Sequence, residues 1–319
     1  MIDLENDGID DIIESYQDSE VSLPSSTKWD PVCSFCGFDL NYVKSIKAYF
    51  LNSWEVSLCF PIVVSFIIIS SYFVFLFCHL KYNPKIGMFS FLFMTIFMFF
   101  FICSYYKTFL EGPGYLPFHY PYKLESQHIG KKDYISGIVT SPEQLIYIEN
   151  LPVIPRAKYF KSARRIVIRP DHYCMWVASF VGKRNHKFFF LFNFWGVVYI
   201  SLFMVSSIST LMLMLKDSNM VSMLLITITY LVFGLFFLMM TSMFVFEMLC
   251  DITSNKTQFE KMRKKRSFSP QHYSKSCVEN WEDVFGSVER WWTWFLPVNQ
   301  FEYSDDFMLL SSRNTDKML

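Results

Sequence analysis

Four stretches of this 319-residue chain contain no Asp, Glu, Lys or Arg: 56–80, 86–106, 188–215 and 221–246. Each is longer than the roughly 20 residues a helix needs to cross a hydrocarbon core of about 30 Å. Inside such a core the backbone must satisfy its own hydrogen bonds, so helix is the expected form. The connectors 81–85 and 216–220 are only five residues long, and each pair of spans is predicted to form an antiparallel hairpin. Pro61 is expected to kink the first span, which membrane helices tolerate. Composition agrees with this, at 52% hydrophobic and 18% charged, where soluble domains carry about a quarter charged residues.

Lysine and arginine set the expected orientation. Segment 107–187 holds 13 of them and the chain after residue 250 holds 10, against Lys81, Lys85 and Lys216 in the two connectors. The basic segments are therefore expected on the cytosolic side, and by parity so is the amino-terminal segment. The predicted organisation is a cytosolic acidic tail (1–54), a transmembrane hairpin (55–106), a cytosolic domain (107–187), a second hairpin (188–250) and a cytosolic tail (251–319). Residues 1–30 carry nine acids and one lysine, a pattern expected of a disordered tail and unlike a signal peptide. No span has a charge at its centre, which argues against a transporter or channel and for an anchor or a lipid-holding cavity.

The eight cysteines, at 33, 36, 59, 78, 103, 174, 250 and 277, do not suggest a secreted disulfide framework. Cys33 and Cys36 are the one close pair, and no second pair at matching spacing accompanies them. Two unpaired thiols, open to lipidation, are the favoured account over half a metal site. Cys174 differs from the rest, because Asp171-His172-Tyr173-Cys174 puts a carboxylate, an imidazole and a thiol within four residues. A thiol with a pKa near 8.5 is only slightly ionised at neutral pH and needs a base to become a nucleophile. His172 can take the proton, and Asp171 can fix the imidazole tautomer and stabilise the charge it gains.

Further motifs follow in order. Gly112-Pro113-Gly114 comes just after the second span. Pro155-Arg156, the quartet, Trp176, Val181-Gly182, Asn185 and Phe188-Phe189 lie before or at the start of the third. Asn255-Lys256-Thr257-Gln258-Phe259-Glu260 follows the fourth, and Asn280-Trp281-Glu282-Asp283-Val284-Phe285-Gly286 with Trp294-Phe295-Leu296-Pro297 closes the set. Together these resemble the DHHC-type protein S-acyltransferases: their Asp-Pro-Gly turn (with Gly112 in the aspartate's place), cysteine-rich core, Thr-Thr-x-Glu element and carboxy-terminal conserved segment. The likeness covers residues 55 to about 300. Read alone, Pro-Gly is a common turn signal, Asn255-Lys256-Thr257 is a glycosylation sequon placed on the wrong side of the membrane, and the Trp-rich segment suits an interfacial anchor.

The resemblance implies an all-α membrane protein of four transmembrane helices, with a loop-rich DHHC-type domain between the second and third spans. It also implies an acyl-CoA co-substrate, Cys174 as nucleophile, His172 as base, Asp171 as its orienting partner and ping-pong transfer to a cysteine of a membrane-associated protein. Trp176 is expected near the thioester. Arg164, Arg165, Arg169, Lys183 and Arg184 are candidate counter-charges for the CoA phosphates, although a solvated positive-inside cluster explains them equally well. Asn185, Asn255, Thr257, Glu260 and Asn280 carry over as structural motif positions. The expected setting is the endomembrane system, ER or Golgi, with no role for nucleic acid and no repeat for recruiting substrates.

The chain departs from the family at the metal. Where the family has eight Cys/His ligands for two structural zinc ions, this sequence has Ile146, Glu149, Tyr159, Phe160, Ala163, Ile166, Tyr173 and Phe180. A packed apolar cluster is expected in their place, with no zinc and no bound cofactor. Structural zinc gives an apparent ~10–16 kcal/mol in small domains. Seven buried side chains at roughly 1.5–3 kcal/mol each have a gross upper bound of similar size. Met175 replaces the usual proline after the quartet. An active, zinc-free S-acyltransferase is the favoured reading. A family member retaining the fold as an inactive scaffold or binding protein is the alternative, and an unrelated four-span channel subunit is a third.

Overall fold

The computed structural model describes residues 29–35, 38–43, 48–51, 54–57, 59–80, 82–83, 87–114, 156–160, 165–216, 221–264 and 275–299. The expectations for the extreme tails, Cys36, Ile146, Glu149, Ala163 and Arg164 lie outside the described residues. The chain divides into two units, one drawing its described residues from 29–57 and 114–170, the other from 59–113 and 171–299.

In the first unit, β1 (Trp29–Phe35), β2 (Phe38–Val43), β3 (Ala48–Leu51) and β4 (Trp54–Val56) form an antiparallel meander in sequence order. The register shifts between Pro31 and Cys33, and a bulge there suits a proline that cannot donate to the ladder. This sheet falls within the stretch expected to be a tail. Its strands are rich in the aromatic residues that favour pleated backbone, a local signal masked by the acidic composition just upstream.

The second unit holds the helices. First come α1 (Cys59–Val74), which continues as a π-helical turn over Phe75–Leu80, and α2 (Gly87–Glu111). After β5 (Ala157–Phe160) and β6 (Arg165–Ile168) of the first unit, β7 (His172–Cys174) and β8 (Ser179–Val181) pair as a short hairpin. Then follow α3 (His186–Met214), α4 (Val221–Thr253), α5 (Gln258–Lys264), α6 (Cys277–Phe285) and a 3₁₀ turn over Val288–Phe295. Four of these helices are long and apolar enough to cross a membrane: Cys59–Leu80, Phe89–Glu111, His186–Met214 and Val221–Thr253. Pro61 falls in the first turn of α1, where its missing N–H has no intrahelical partner to lose, so the helix is continuous through it.

Outward-facing Ile62, Phe66, Phe89, Phe99, Val232, Phe236 and Phe246 are exposed, as lipid-facing side chains should be. Polar groups point inward and join the helices. Ser71 and Tyr199 share a hydrogen bond of 2.8 Å, Asn83 donates to Ser209 at 2.8 Å, and Ser207 bonds His79 Nε2 at 2.9 Å. Phe101, stacked on Phe192 at 5.2 Å, packs against α3 where Gly196 leaves room for its ring. Small residues allow this kind of close approach between membrane helices.

Candidate active site

The site is built on the β7–β8 hairpin. Alternation along a strand puts residues i and i+2 on one face, and directly opposed residues share that face. His172 and Cys174 therefore lie on one face with their partners Val181 and Ser179, and Tyr173 with Phe180 lies on the other. The turn Met175–Ala178 closes through Ala178 N–H donating to the Met175 carbonyl at 3.0 Å, with Ala178 at φ 53. Cys174 is buried, while Tyr173 and Met175 are exposed.

Asp171 is buried and used at every polar atom. Its Oδ2 accepts from His172 Nδ1 at 2.9 Å and its Oδ1 from the Gln258 N–H at 2.9 Å. Its carbonyl accepts from Phe259 N–H at 3.0 Å, and its N–H donates to Val181 at 2.8 Å. Burial alone would raise this carboxyl. The His172 hydrogen bond, the charges of His186 and His172 and the Gln258 N–H outweigh burial and hold it at about 2.

Burial likewise disfavours the charged His172 ring, but the bond to Asp171 and the contact with Cys174, with their charges, lift it to about 10. Nε2 is buried and has no hydrogen bond of ordinary geometry among the described residues. Cys174 nevertheless lies close enough to stabilise the protonated ring. An imidazole made this basic can, from its neutral form, accept the thiol proton on Nε2 and hold it. Phe189 meets the imidazole edge-on at 5.1 Å and Phe244 stacks on it at 6.4 Å, so apolar rings flank the base.

The backbone after the fourth span reaches this carboxylate through two caps. Asn255, at φ 47, ends α4 with its N–H donating to Ile252 at 3.1 Å while Lys256 N–H reaches Asp251 at 2.9 Å. This is the Schellman arrangement, which asparagine tolerates. Thr257 then opens α5 in a capping box. Its Oγ1 accepts from Glu260 N–H at 3.2 Å, and Glu260 Oε2 accepts from Thr257 N–H at 2.9 Å. The box leaves the Gln258 and Phe259 N–H groups directed at Asp171.

Trp176 packs edge-on against Phe60 of α1 at 5.9 Å and Phe237 of α4 at 6.0 Å. Its carbonyl accepts from Tyr105 Oη of α2 at 2.9 Å. Asn185 ties the hairpin's exit together: its Oδ1 accepts from Gly182 N–H at 2.8 Å, and its Nδ2 donates to Phe180 at 3.0 Å and Thr108 at 3.3 Å. Asn280 is buried and donates to Thr253 at the end of α4 at 2.8 Å. The described basic candidates divide between the two units. Lys183 pairs with Asp283, and Arg184 pairs with Glu111 at 3.5 Å. Arg165 lies in β6 and buried Arg169 just after it, both in the other unit.

Sequence reasoning did not single out Gln258, Tyr105 or Ser179. Gln258 acts through its backbone, which no side-chain pattern reveals. Ser179 could have been found by folding the quartet into a hairpin and noting which residue comes opposite the cysteine.

Two of the eight zinc-ligand positions of the resemblance, Tyr173 and Phe180, meet edge to face at 5.2 Å. They offer aromatic rings where zinc takes thiolate or imidazole, so these residues do not fit that metal. Among the described residues no three His, Cys, Asp or Glu side chains gather as a metal-holding group.

Residues 140–265 match the DHHC palmitoyltransferase family. The match includes the hairpin, both caps and the third and fourth spans. Probable protein S-acyltransferase 12 of Arabidopsis thaliana is 28% identical over 229 residues, covering 67% of this chain and 74% of that protein. Palmitoyltransferase ZDHHC3-A of Danio rerio is 25% identical over 223 residues, 64% of each chain. Palmitoyltransferase AKR1 of Debaryomyces hansenii is 29% identical over 99 residues, 31% of this chain and 12% of its own length. The chain thus spans about three quarters of the first relative and less than two thirds of the other two. Similarity to DHHC palmitoyltransferases coincides with the part of the chain in which carboxylate, imidazole and thiol are brought together.

Proposed function

We propose that the chain is a protein S-acyltransferase that moves a long-chain acyl group, palmitoyl or similar, from acyl-CoA to a cysteine of a membrane-associated protein through an acyl-Cys174 intermediate. The observation that carries this reading is the line Asp171–His172–Cys174, in which a half-buried imidazole between a buried carboxylate and a buried thiol is raised to about 10 by both neighbours. Cys174 Sγ gives its proton to His172 Nε2 and attacks the thioester carbonyl carbon. The carbon–sulfur bond to CoA then breaks, and His172 returns the proton to the departing thiolate. A substrate cysteine repeats the sequence on the acyl-enzyme and regenerates the Cys174 thiol, which gives ping-pong kinetics. Thioester and thiol are exchanged for thioester and thiol, so the chemistry calls for no nucleotide.

The rings around Trp176 give the apolar setting suited to the acyl chain, since each methylene kept from water contributes about 0.8 kcal/mol. Lys183 and Arg184, also committed to Asp283 and Glu111, are the counter-charges on the hairpin's own unit for the CoA phosphates. We place both termini and the active site in the cytosol, following the basic segments, and the protein in the ER or Golgi membrane. The domain holds without zinc in this reading, with Tyr173 and Phe180 meeting ring to ring at two of the family's ligand positions. Two zinc ions per purified chain would overturn that part alone.

Purified protein incubated with labelled palmitoyl-CoA is expected to take up hydroxylamine-sensitive label that is lost in Cys174→Ala. An unlabelled parent protein would overturn the reading in favour of an inactive scaffold.

A further inference from the structure

Ser179 stands directly opposite Cys174 across the hairpin, where side chains share a face and their Cβ atoms are about 4.5–5.5 Å apart. Its residue is 6% exposed, and its Oγ is buried with no hydrogen-bond partner among the described residues. A buried hydroxyl without a partner costs free energy, and native proteins retain few of them. On the reaction face, the other side chains are the nucleophile, its base and the apolar Val181. A donor that is idle in the resting protein and adjacent to the attacking sulfur matches what an acyl-transfer site needs when charge appears on the substrate.

We infer that Ser179 Oγ–H is a catalytic hydrogen-bond donor to the oxyanion formed when Cys174 attacks a thioester. The inference rests on the acyltransferase reading and deepens it. As the carbon–sulfur bond forms, the π electrons of the carbonyl move onto oxygen, and the Ser179 hydroxyl donates to that oxygen without giving up its proton. When the tetrahedral carbon collapses, the electrons return, the bond to CoA sulfur breaks, and the leaving thiolate takes the proton held on His172 Nε2. The same donor serves the second transfer, when the acceptor cysteine attacks acyl-Cys174. The ground-state carbonyl oxygen carries less charge, so the contribution falls on the rate of acylation at saturating acyl-CoA and little on its binding.

The test uses full-length protein in detergent and single-turnover acylation by palmitoyl-CoA, comparing the parent with Ser179→Ala, Ser179→Thr and Cys174→Ala. Loss of one oxyanion donor is expected to slow Ser179→Ala acylation about 100- to 1,000-fold, with Ser179→Thr restoring the rate to within a few-fold of the parent. Alkylation of Cys174 by iodoacetamide should keep its pH midpoint in Ser179→Ala, because the thiol is not the group being stabilised. Thermal stability should stay level or rise once the unpartnered hydroxyl is gone. Acylation of Ser179→Ala at the parental rate would overturn the inference. So would a slowed rate accompanied by a shifted alkylation midpoint, which marks a thiolate donor, or by a lowered melting temperature, which marks a packing role. If the parent itself takes up no label, the acyltransferase reading falls and this inference with it. A labelled parent with a fully active Ser179→Ala removes the inference alone.

Discussion

Replacing Asp171 by asparagine tests the acid–base core most directly, because both carboxylate oxygens have assigned work. Oδ2 accepts from His172 Nδ1 and Oδ1 from the Gln258 N–H, each at 2.9 Å. An asparagine side chain has a single acceptor oxygen, and its NH2 only donates. Whichever way the amide turns, either the imidazole or the backbone N–H faces a donor inside a buried site. A ring raised from 6.5 to about 10 corresponds to roughly 5 kcal/mol of preference for the imidazolium. Burial opposes that preference, so the carboxylate and the thiol together supply more than the net; losing one charge-assisted hydrogen bond in a buried site costs about 2–4 kcal/mol. Acylation of Asp171→Asn by palmitoyl-CoA should therefore slow by roughly 30- to 1,000-fold in single-turnover measurements. Alkylation of Cys174 at neutral pH should slow in the same variant, since the thiolate loses its counter-charge. An Asp171→Asn protein that acylates and alkylates at parental rates would refute the assignment of His172 as a base held by Asp171.

The same pair predicts a pH profile for stability. His172 is raised from 6.5 to about 10, so its contribution is full below pH 6.5 and lost as pH climbs through about 10. Asp171 is lowered from 3.8 to about 2, so its contribution is present above 3.8 and lost as pH falls through about 2. Melting temperature followed by tryptophan fluorescence should decline between pH 6.5 and 10 in the parent, and the decline should be smaller in Asp171→Asn. In the membrane, a Cβ at Gly196 would meet the Phe101 ring at 2.9 Å and one at Gly234 would meet the Met204 sulfur at 2.8 Å. Gly196→Ala should cost about 1–3 kcal/mol, because the ring is wedged against Phe192, whereas the flexible thioether lets Gly234→Ala pass with little loss. Thermal melts of the two variants should differ accordingly. Asn280→Ala removes a buried amide that donates to Thr253 at 2.8 Å and accepts from Lys275 N–H at 3.0 Å. It should lower the melting temperature by the equivalent of about 1–3 kcal/mol, with faster proteolysis after residue 264 as an independent readout.

The membrane helices were legible because an uncharged run of sufficient length leaves the backbone few alternatives. Their ends were less so: α4 continues past residue 246 to Thr253, where Glu247 and Asp251 interrupt the apolar run but both pair with Lys261. Asp171, His172 and Cys174 were readable as a candidate trio from residue types, yet the reason His172 and Cys174 meet was not. That reason is a period-two strand too short, at three residues, to show any pattern of its own. Thr257 and Glu260 were expected as a motif, and their physical role is a capping box that aims two backbone N–H groups, a contact that spans 87 residues of sequence. Lys183 and Arg184 look like free basic residues in the sequence because Asp283 and Glu111, which hold them, lie 100 and 73 residues away.

The hairpin works as a partition one peptide thick. Whatever stands at positions 173 and 180 occupies the far side of the same two strands that carry the thiol and its base, so it reaches them only through the backbone. There Tyr173 and Phe180 meet ring to ring at 5.2 Å. Repairs to the scaffold can then accumulate on one side of a three-residue strand while the reacting atoms on the other keep their places.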